Sequence, residues 1–205
     1  MEESLGGTFG IASVIAVASI TPGPNNLIVM RAATRGGLAE ALPAIAGIVL
    51  GSVAMLGLIL AGAHSAFAAH PEFRVLVAAA GCVYLCCLGA RLVASSFASV
   101  DTTAQQANKG TPRALRLFVF QFLNLKAWAL VLTAAAAASA DGGALRAFAE
   151  VGTLLVLIST ASLVLWSQAG AFLARRLAVE RNRQWFDRAM GLLLIAAALL
   201  TWSQA

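Results

Sequence analysis

One cation stands deep in an apolar run. Lys126 is the only charged residue between Leu117 and Ala140. An ammonium at the bilayer centre costs about 2.5–3.5 kcal/mol on insertion scales, so such a group faces a protein interior and marks a substrate or proton path. It could hold a carboxylate or hand on a proton. The plainer reading is a lysine that pairs with buried carbonyls and fixes packing. A second stretch puts polar groups at similar depth. Thr21-Pro22-Gly23-Pro24-Asn25-Asn26 lies inside the charge-free run Leu5–Met30. Each proline removes a backbone donor, and one inside a helix costs about 3 kcal/mol or more. The glycine between them permits almost any backbone angle. Broken backbone at membrane depth survives only where it is buried in protein or lines a wet cavity.

The two stretches together suit a zwitterion, whose opposite charges need opposite partners. Lys126 and unpaired N–H groups suit a carboxylate. Free carbonyls and asparagine oxygens suit an ammonium. The expected binding set is Thr21, Pro22, Gly23, Pro24, Asn25, Asn26, Asn124, Lys126 and Trp128, gathered around one polar cavity near the midplane. Trp128 serves equally well as a packing residue.

Other chemistry is thinly supplied. All nine acids fall in loops or at the ends of apolar runs. Glu40 and Glu150 each open a run and join Lys126 as proton-coupling candidates, although an acid at a helix start is ordinarily solvated. Cys82 and Cys86 share a helix face by spacing and read first as small packing residues. His64, His70 and Glu72 share one loop and read first as solvated. No Ser-His-Asp set, phosphate loop or paired carboxylates occur, so enzyme chemistry is not expected. Neither a cofactor nor a resident metal is called for.

The elements that must position these residues are membrane spans. The chain has 205 residues, 60% of them hydrophobic and 11% charged, with mean hydropathy +0.85. That composition is all-α and polytopic, since a soluble domain could not bury so much apolar surface. About 20 apolar residues cross the hydrocarbon core. Six runs serve: Leu5–Met30, Ala41–Ala63, Val75–Phe97, Leu117–Ala140, Val151–Leu173 and Trp185–Trp202. The opening Met1-Glu2-Glu3 lacks the positive charge of a secretory signal, so the first run is read as a span.

The net charge of +5 is a topology signal, not a nucleic-acid footprint. Eleven of the fourteen cations fall on one side. These are Arg31 and Arg35, then Arg91, Lys109, Arg113 and Arg116, then Arg175, Arg176, Arg181, Arg183 and Arg188. Arg74 and Arg146 alone fall on the other. The positive-inside rule puts the first group in the cytoplasm and both termini outside. The polar stretch 99–115 reads as a cytoplasmic linker between halves 1–98 and 116–205. Three spans is an odd number, so the halves have inverted orientations. Spans one and four are then the irregular members, and paired interruptions mark a transporter's binding site. Gly47 with Gly51, and Gly6 with Gly10, form small-residue faces suited to close helix packing.

These motifs resemble those of one family. Thr21-Pro22-Gly23-Pro24-Asn25 is similar to the first signature of the LysE/RhtB amino-acid exporters. Asn124-Leu125-Lys126-Ala127 resembles their second, Asn-Pro-Lys-Ala. Gly81-Cys82-Val83-Tyr84-Leu85-Cys86-Cys87-Leu88-Gly89 is similar to their third-span pattern. Leu125 replaces the family proline, which leaves an unbroken span four open. The resemblance implies a multi-pass exporter in the bacterial inner membrane, working on amino acids or close derivatives and driven by protons. Without a buried carboxylate, a neutral substrate of threonine, homoserine or leucine type is expected. A homo-oligomer is compatible with this picture. Two alternatives remain: an exporter of metal ions such as cadmium, using Cys82, Cys86 and the histidines, and a non-transporting interaction protein that would not need Lys126.

Overall fold

The computed structural model describes residues 2–63, 71–97, 113–139, 143–174 and 176–202. His64, His70 and most of the expected linker 99–115 lie outside the described residues. Every regular element among the described residues is helical. In chain order they are α1 (Glu2–Ile20), α2 (Pro24–Leu58), α3 (Pro71–Ser95), α4 (Arg113–Gln121), α5 (Leu125–Ser139), α6 (Ala144–Leu154), α7 (Thr160–Ala174) and α8 (Glu180–Trp202). Widened turns at Ile59–Ala63 and Leu155–Ser159 extend α2 and join α6 to α7, and a tight turn at Arg176–Ala178 precedes α8.

Three helical stretches are long and apolar enough to cross a membrane: Pro24–Gly62, Val75–Ala94 and Ala144–Ala174. The α4–α5 pair adds a fourth if its two arms count as one span. The apolar stretch Gly7–Ile20 of α1 is shorter.

Helix α2 is kinked at Gly36 and Gly37. Gly37 has φ 67°, ψ −152°, a left-handed conformation that L side chains rarely adopt and glycine takes freely. The kink falls between the apolar runs expected as the first two spans. Arg31, expected in the loop there, sits inside the helical arm before the kink.

Two apolar clusters hold the helices together. One joins Ile11 and Ile15 of α1 to Met55 and Leu56 of α2, Trp128 and Val131 of α5, and Val151 of α6. The other joins Val29 and Ile45 of α2 to Leu85, Phe120, Leu163, Met190 and Leu194 of α3, α4, α7 and α8. The most extensive packing is of α2 on α7, α3 on α8 and α2 on α4. Small residues set these spacings. A Cβ on Gly47 would run into the Ala114 carbonyl, and one on Gly51 into the Phe118 carbonyl and Gln121. Gly89 of α3 and Gly191 of α8 meet reciprocally: a Cβ on either would lie 2.6 Å from the other's carbonyl oxygen. The packing expected at Gly10 is absent, since a Cβ there would meet nothing within 4 Å; that turn of α1 is on an exposed face. Large apolar side chains such as Phe9, Leu76, Leu145 and Phe172 cover the exterior, as a hydrocarbon solvent allows.

Candidate functional site

The chain breaks after α1 at Thr21-Pro22-Gly23 and resumes as α2 at Pro24. A helix end leaves its last carbonyls without intrahelical partners. Here side chains from elsewhere supply them. The Ser19 carbonyl accepts from Asn26 Nδ2 and from Ser162 Oγ, both at 2.9 Å. The Thr21 carbonyl accepts from Asn26 Nδ2 at 3.0 Å and from Lys126 Nζ at 2.7 Å. Asn26 is thus buried and committed to holding the break. Its neighbour Asn25 is half-buried, and its Oδ1 lies 3.4 Å from Asn124 Nδ2.

A second break faces the first. Helices α4 and α5 bend by 65° at residues 122–124, so the fourth apolar run is interrupted although Leu125 stands in place of proline. Short turn bonds replace the helical ladder there: the Phe122, Leu123 and Asn124 amides donate to Val119, Phe120 and Gln121 carbonyls. The Phe122 carbonyl, freed by the bend, accepts from Trp128 Nε1 at 3.0 Å. Gly81 of α3 leaves room for the Leu123 carbonyl. Tertiary packing does what a proline would otherwise do.

Gly23 explains the closeness of the two breaks. Its φ of −160° and ψ of 177° are extended, so any residue could adopt them. The expected need for backbone freedom does not hold at this position; the need is for space. A Cβ on Gly23 would lie 3.0 Å from Lys126 Nζ and 3.2 Å from its Cδ.

Between the breaks is a cavity of about 50 Å³. Gly23, Pro24, Asn25 and Asn26 line it from one side, and Asn124 and Lys126 from the other, with Ser19, Ser52, Gln121 and Ser159 completing the polar wall. Lys126 is the one charged side chain in the lining. Gln121 Nε2 donates to Ser52 Oγ at 2.7 Å, and Ser52 Oγ donates to the Ile48 carbonyl at 3.0 Å. The N-terminal ends of α2 and α5 both open here and carry partial positive charge; the C-terminal end of α1 carries partial negative charge. The cavity therefore offers cationic and N–H partners beside carbonyl partners. That combination can hold both ends of a zwitterion.

Other expected residues sit elsewhere. The Thr21 hydroxyl donates to the Val17 carbonyl, so Thr21 reaches the site through its backbone. Pro22 is exposed and Trp128 is buried in the α1–α5–α6 cluster, and neither lines the cavity. Glu40 is exposed beside Gly36. Glu150 accepts from Thr8 Oγ1 at 2.5 Å and ties α6 to α1. Cys82, Cys86 and Cys87 are free thiols on α3. Among the described residues no three histidine, cysteine or acidic side chains gather as a metal would need.

The sequence reading passed over Ser19, Ser52, Gln121 and Ser159. Their signal was present, as lone polar residues in otherwise apolar runs. Asp187 is one of the nine acids expected in loops or at the ends of apolar runs. Asp187 is 5% exposed; its Oδ1 lies 2.7 Å from Arg31 Nε, and Arg31 Nη2 donates to Oδ2 at 3.0 Å. This ion pair joins α2 to α8.

A model of the LysE type translocator family matches residues 16–204. The chain is 28% identical over 184 residues to a cysteine/O-acetylserine efflux protein of Salmonella choleraesuis (strain SC-B67), covering 89% of this chain and 91% of that one. It is also 28% identical over 188 residues to the cysteine/O-acetylserine efflux protein of Escherichia coli (strain K12), with the same coverage. A third such protein, from Salmonella typhi, is 27% identical over 187 residues. No solved structure matches the chain.

Proposed function

The chain belongs to the LysE type translocator family, and from that premise we propose that it exports a small neutral amino acid across the bacterial inner membrane in exchange for protons. The observation that carries the reading is the cavity between two facing helix breaks, with Lys126 and two helix N-termini beside the carbonyl end of α1. A substrate carboxylate binds Lys126 and the amides that open α2 and α5. The substrate ammonium takes the place of Lys126 Nζ at the Thr21 carbonyl, with Asn25 beside it. Cysteine and O-acetylserine, exported by the similar proteins above, are neutral zwitterions of small size. The absence of any acid from the cavity lining also favours a neutral side chain. A cavity of about 50 Å³ holds about four ordered waters at roughly 10–15 Å³ each, so it widens as substrate enters.

The architecture proposed is six spans in two inverted halves, 1–98 and 116–205, joined by a cytoplasmic linker, with both termini outside. Two features support it. The breaks fall in the first span of each half, and α3 and α8, the last span of each half, meet glycine to glycine. Lys126 is the proton-coupling candidate in the cavity; Glu40 and Glu150 stand outside it. One charge crossing 100 mV is worth about 2.3 kcal/mol, and a tenfold concentration ratio about 1.4 kcal/mol. One proton exchanged for one zwitterion then sustains a ratio of about forty.

The test is efflux of labelled L-cysteine, O-acetyl-L-serine and L-threonine from loaded proteoliposomes. Export should follow an imposed proton gradient and stop when it collapses. Lys126→Ala should insert normally and export nothing. Concentrative export that survives collapse rules out proton coupling, and wild-type export by Lys126→Ala removes the site.

A further inference from the structure

Where α7 ends and α8 begins, the tight turn at Arg176–Ala178 leaves an open cleft of about 480 Å³. Arg176, Arg181 and Asn182 line it beside Leu173, Leu177 and Trp185. No acid is among its described lining residues. Asn182 Nδ2 donates to the Arg176 carbonyl at 2.9 Å, which ties the start of α8 to the turn that carries Arg176. Arg176 and Arg181 are both exposed. The acids nearest in sequence face other arginines: Glu180 Oε1 lies 3.9 Å from Arg183 Nη2, and Asp187 is buried against Arg31. The cleft thus combines two cations with an apolar lining.

Helix α8 sets the level of this cleft in the bilayer. Trp185 and Trp202 are exposed, and so are Leu192, Leu193 and Leu199 between them. In a multi-pass membrane protein such an apolar face meets hydrocarbon. The two indoles are about 25 Å apart at the helical rise, close to the roughly 30 Å of a hydrocarbon core, and indoles settle where headgroups begin. Arg181 precedes Trp185 by one helical turn, so the two share a face. It stands about 6 Å farther from the hydrocarbon, at the depth of lipid phosphates. Arg188 steadies the indole, its Cζ 5.6 Å from the Trp185 ring centroid.

We propose that this cleft binds the headgroup of an anionic phospholipid, with the phosphate at Arg176 and Arg181 and the first acyl carbons on Leu173 and Leu177. A phosphodiester is a permanent anion, and guanidinium groups give it charge-assisted hydrogen bonds while staying charged themselves. One cation near the membrane surface raises affinity for an anionic lipid by about fivefold. The apolar lining decides the source of the phosphate. A free phosphate gains nothing from leucines, whereas a lipid buries its first methylenes against them. The inference needs the chain to lie in a bilayer and does not rest on the export reading.

The full-length protein is purified in detergent, and binding of phosphatidylglycerol and of phosphatidylcholine is titrated by native mass spectrometry. Wild type should prefer phosphatidylglycerol by about tenfold or more. Arg176→Gln and Arg181→Gln should each weaken its binding by about fivefold, and the two together should remove the preference. Arg91→Gln takes an exposed arginine from α3 and should change nothing. Arg176→Lys with Arg181→Lys keeps the charge and should keep the preference, which separates lost attraction from lost fold. Inorganic phosphate at the concentration of the lipid should not displace it. The proposal is overturned if wild type binds both lipids alike or if the double glutamine protein keeps the preference. It is equally overturned if Arg91→Gln weakens binding as much as Arg181→Gln, which would leave only the general surface field. Loss of the preference in the double lysine protein, or displacement of the lipid by inorganic phosphate, would also overturn it.

Discussion

Gly23 gives the sharpest test of how the two breaks work together. Its backbone is extended, so alanine costs nothing in backbone angle. The cost is steric. A new Cβ would lie 3.0 Å from Lys126 Nζ and 3.2 Å from Cδ, so the lysine must retreat by about 0.5 Å to reach carbon contact distance. That retreat loosens the 2.7 Å bond to the Thr21 carbonyl. A weakened bond of this kind costs about 1 kcal/mol of stability. Gly23→Leu is a different perturbation. Its four side-chain carbons match in number the roughly four waters that a cavity of about 50 Å³ holds, and they lie across the path of Lys126. The assay is initial efflux of labelled L-cysteine from loaded proteoliposomes, with thermal unfolding measured in parallel. Alanine should lower the unfolding midpoint and keep efflux, and leucine should lose efflux altogether. The double variant Gly23→Leu with Lys126→Ala should regain stability, because the space is restored, and still not export; the two changes touch, so they should not add. Equal loss in Gly23→Ala and Gly23→Leu would show that glycine is needed for its backbone after all. Wild-type efflux by Gly23→Leu would refute the facing-breaks geometry itself.

Three further outcomes follow from the contacts. Asn26→Ala removes one of the two donors to the Ser19 carbonyl and one of the two to the Thr21 carbonyl and should cost about 1–3 kcal/mol of stability, read as a lower unfolding midpoint without substrate; an unchanged midpoint would make Asn26 a ligand and not a brace. Arg31→Ala leaves Asp187 buried and unpaired and should cost about 3–5 kcal/mol, whereas Arg31→Ala with Asp187→Ala should cost clearly less; equal costs would contradict the pairing. Reporter fusions at Arg183 should read cytoplasm and at Pro71 outside, and a cytoplasmic reading at Pro71 would invert the topology.

What could be read from the sequence was local. Prolines at positions 22 and 24 forbid a continuous helix wherever the chain goes, and a lone lysine in an apolar run must find polar company. These two facts bring the site close to assembly. The break at residues 122–124 was legible only as an irregularity around Asn124 and Lys126, with Leu125 leaving an unbroken helix open, because its causes are distant in sequence. Trp128 caps it from the next helix and Gly81 admits it from α3. The same holds for Gly23, whose role depends on a side chain from position 126. Asn26 could be seen as polar, but its commitment to the Ser19 and Thr21 carbonyls required the geometry of the break. Asp187 looked like a surface acid in a charged segment; its partner stands 156 residues away.

The bond from Lys126 to the Thr21 carbonyl has a consequence for when the transporter would act. The lysine already occupies the carbonyl that a substrate ammonium would use. Under the proposed function, a substrate therefore competes with an internal stand-in for its own positive end. Displacing a partly solvent-accessible contact of this kind costs about 1 to 1.5 kcal/mol, which raises the concentration needed for half-occupancy by roughly tenfold. An efflux device with that property idles while its cargo is scarce and engages only when the cell holds a surplus. The threshold would then be set by a bond within the site itself, without a separate sensor.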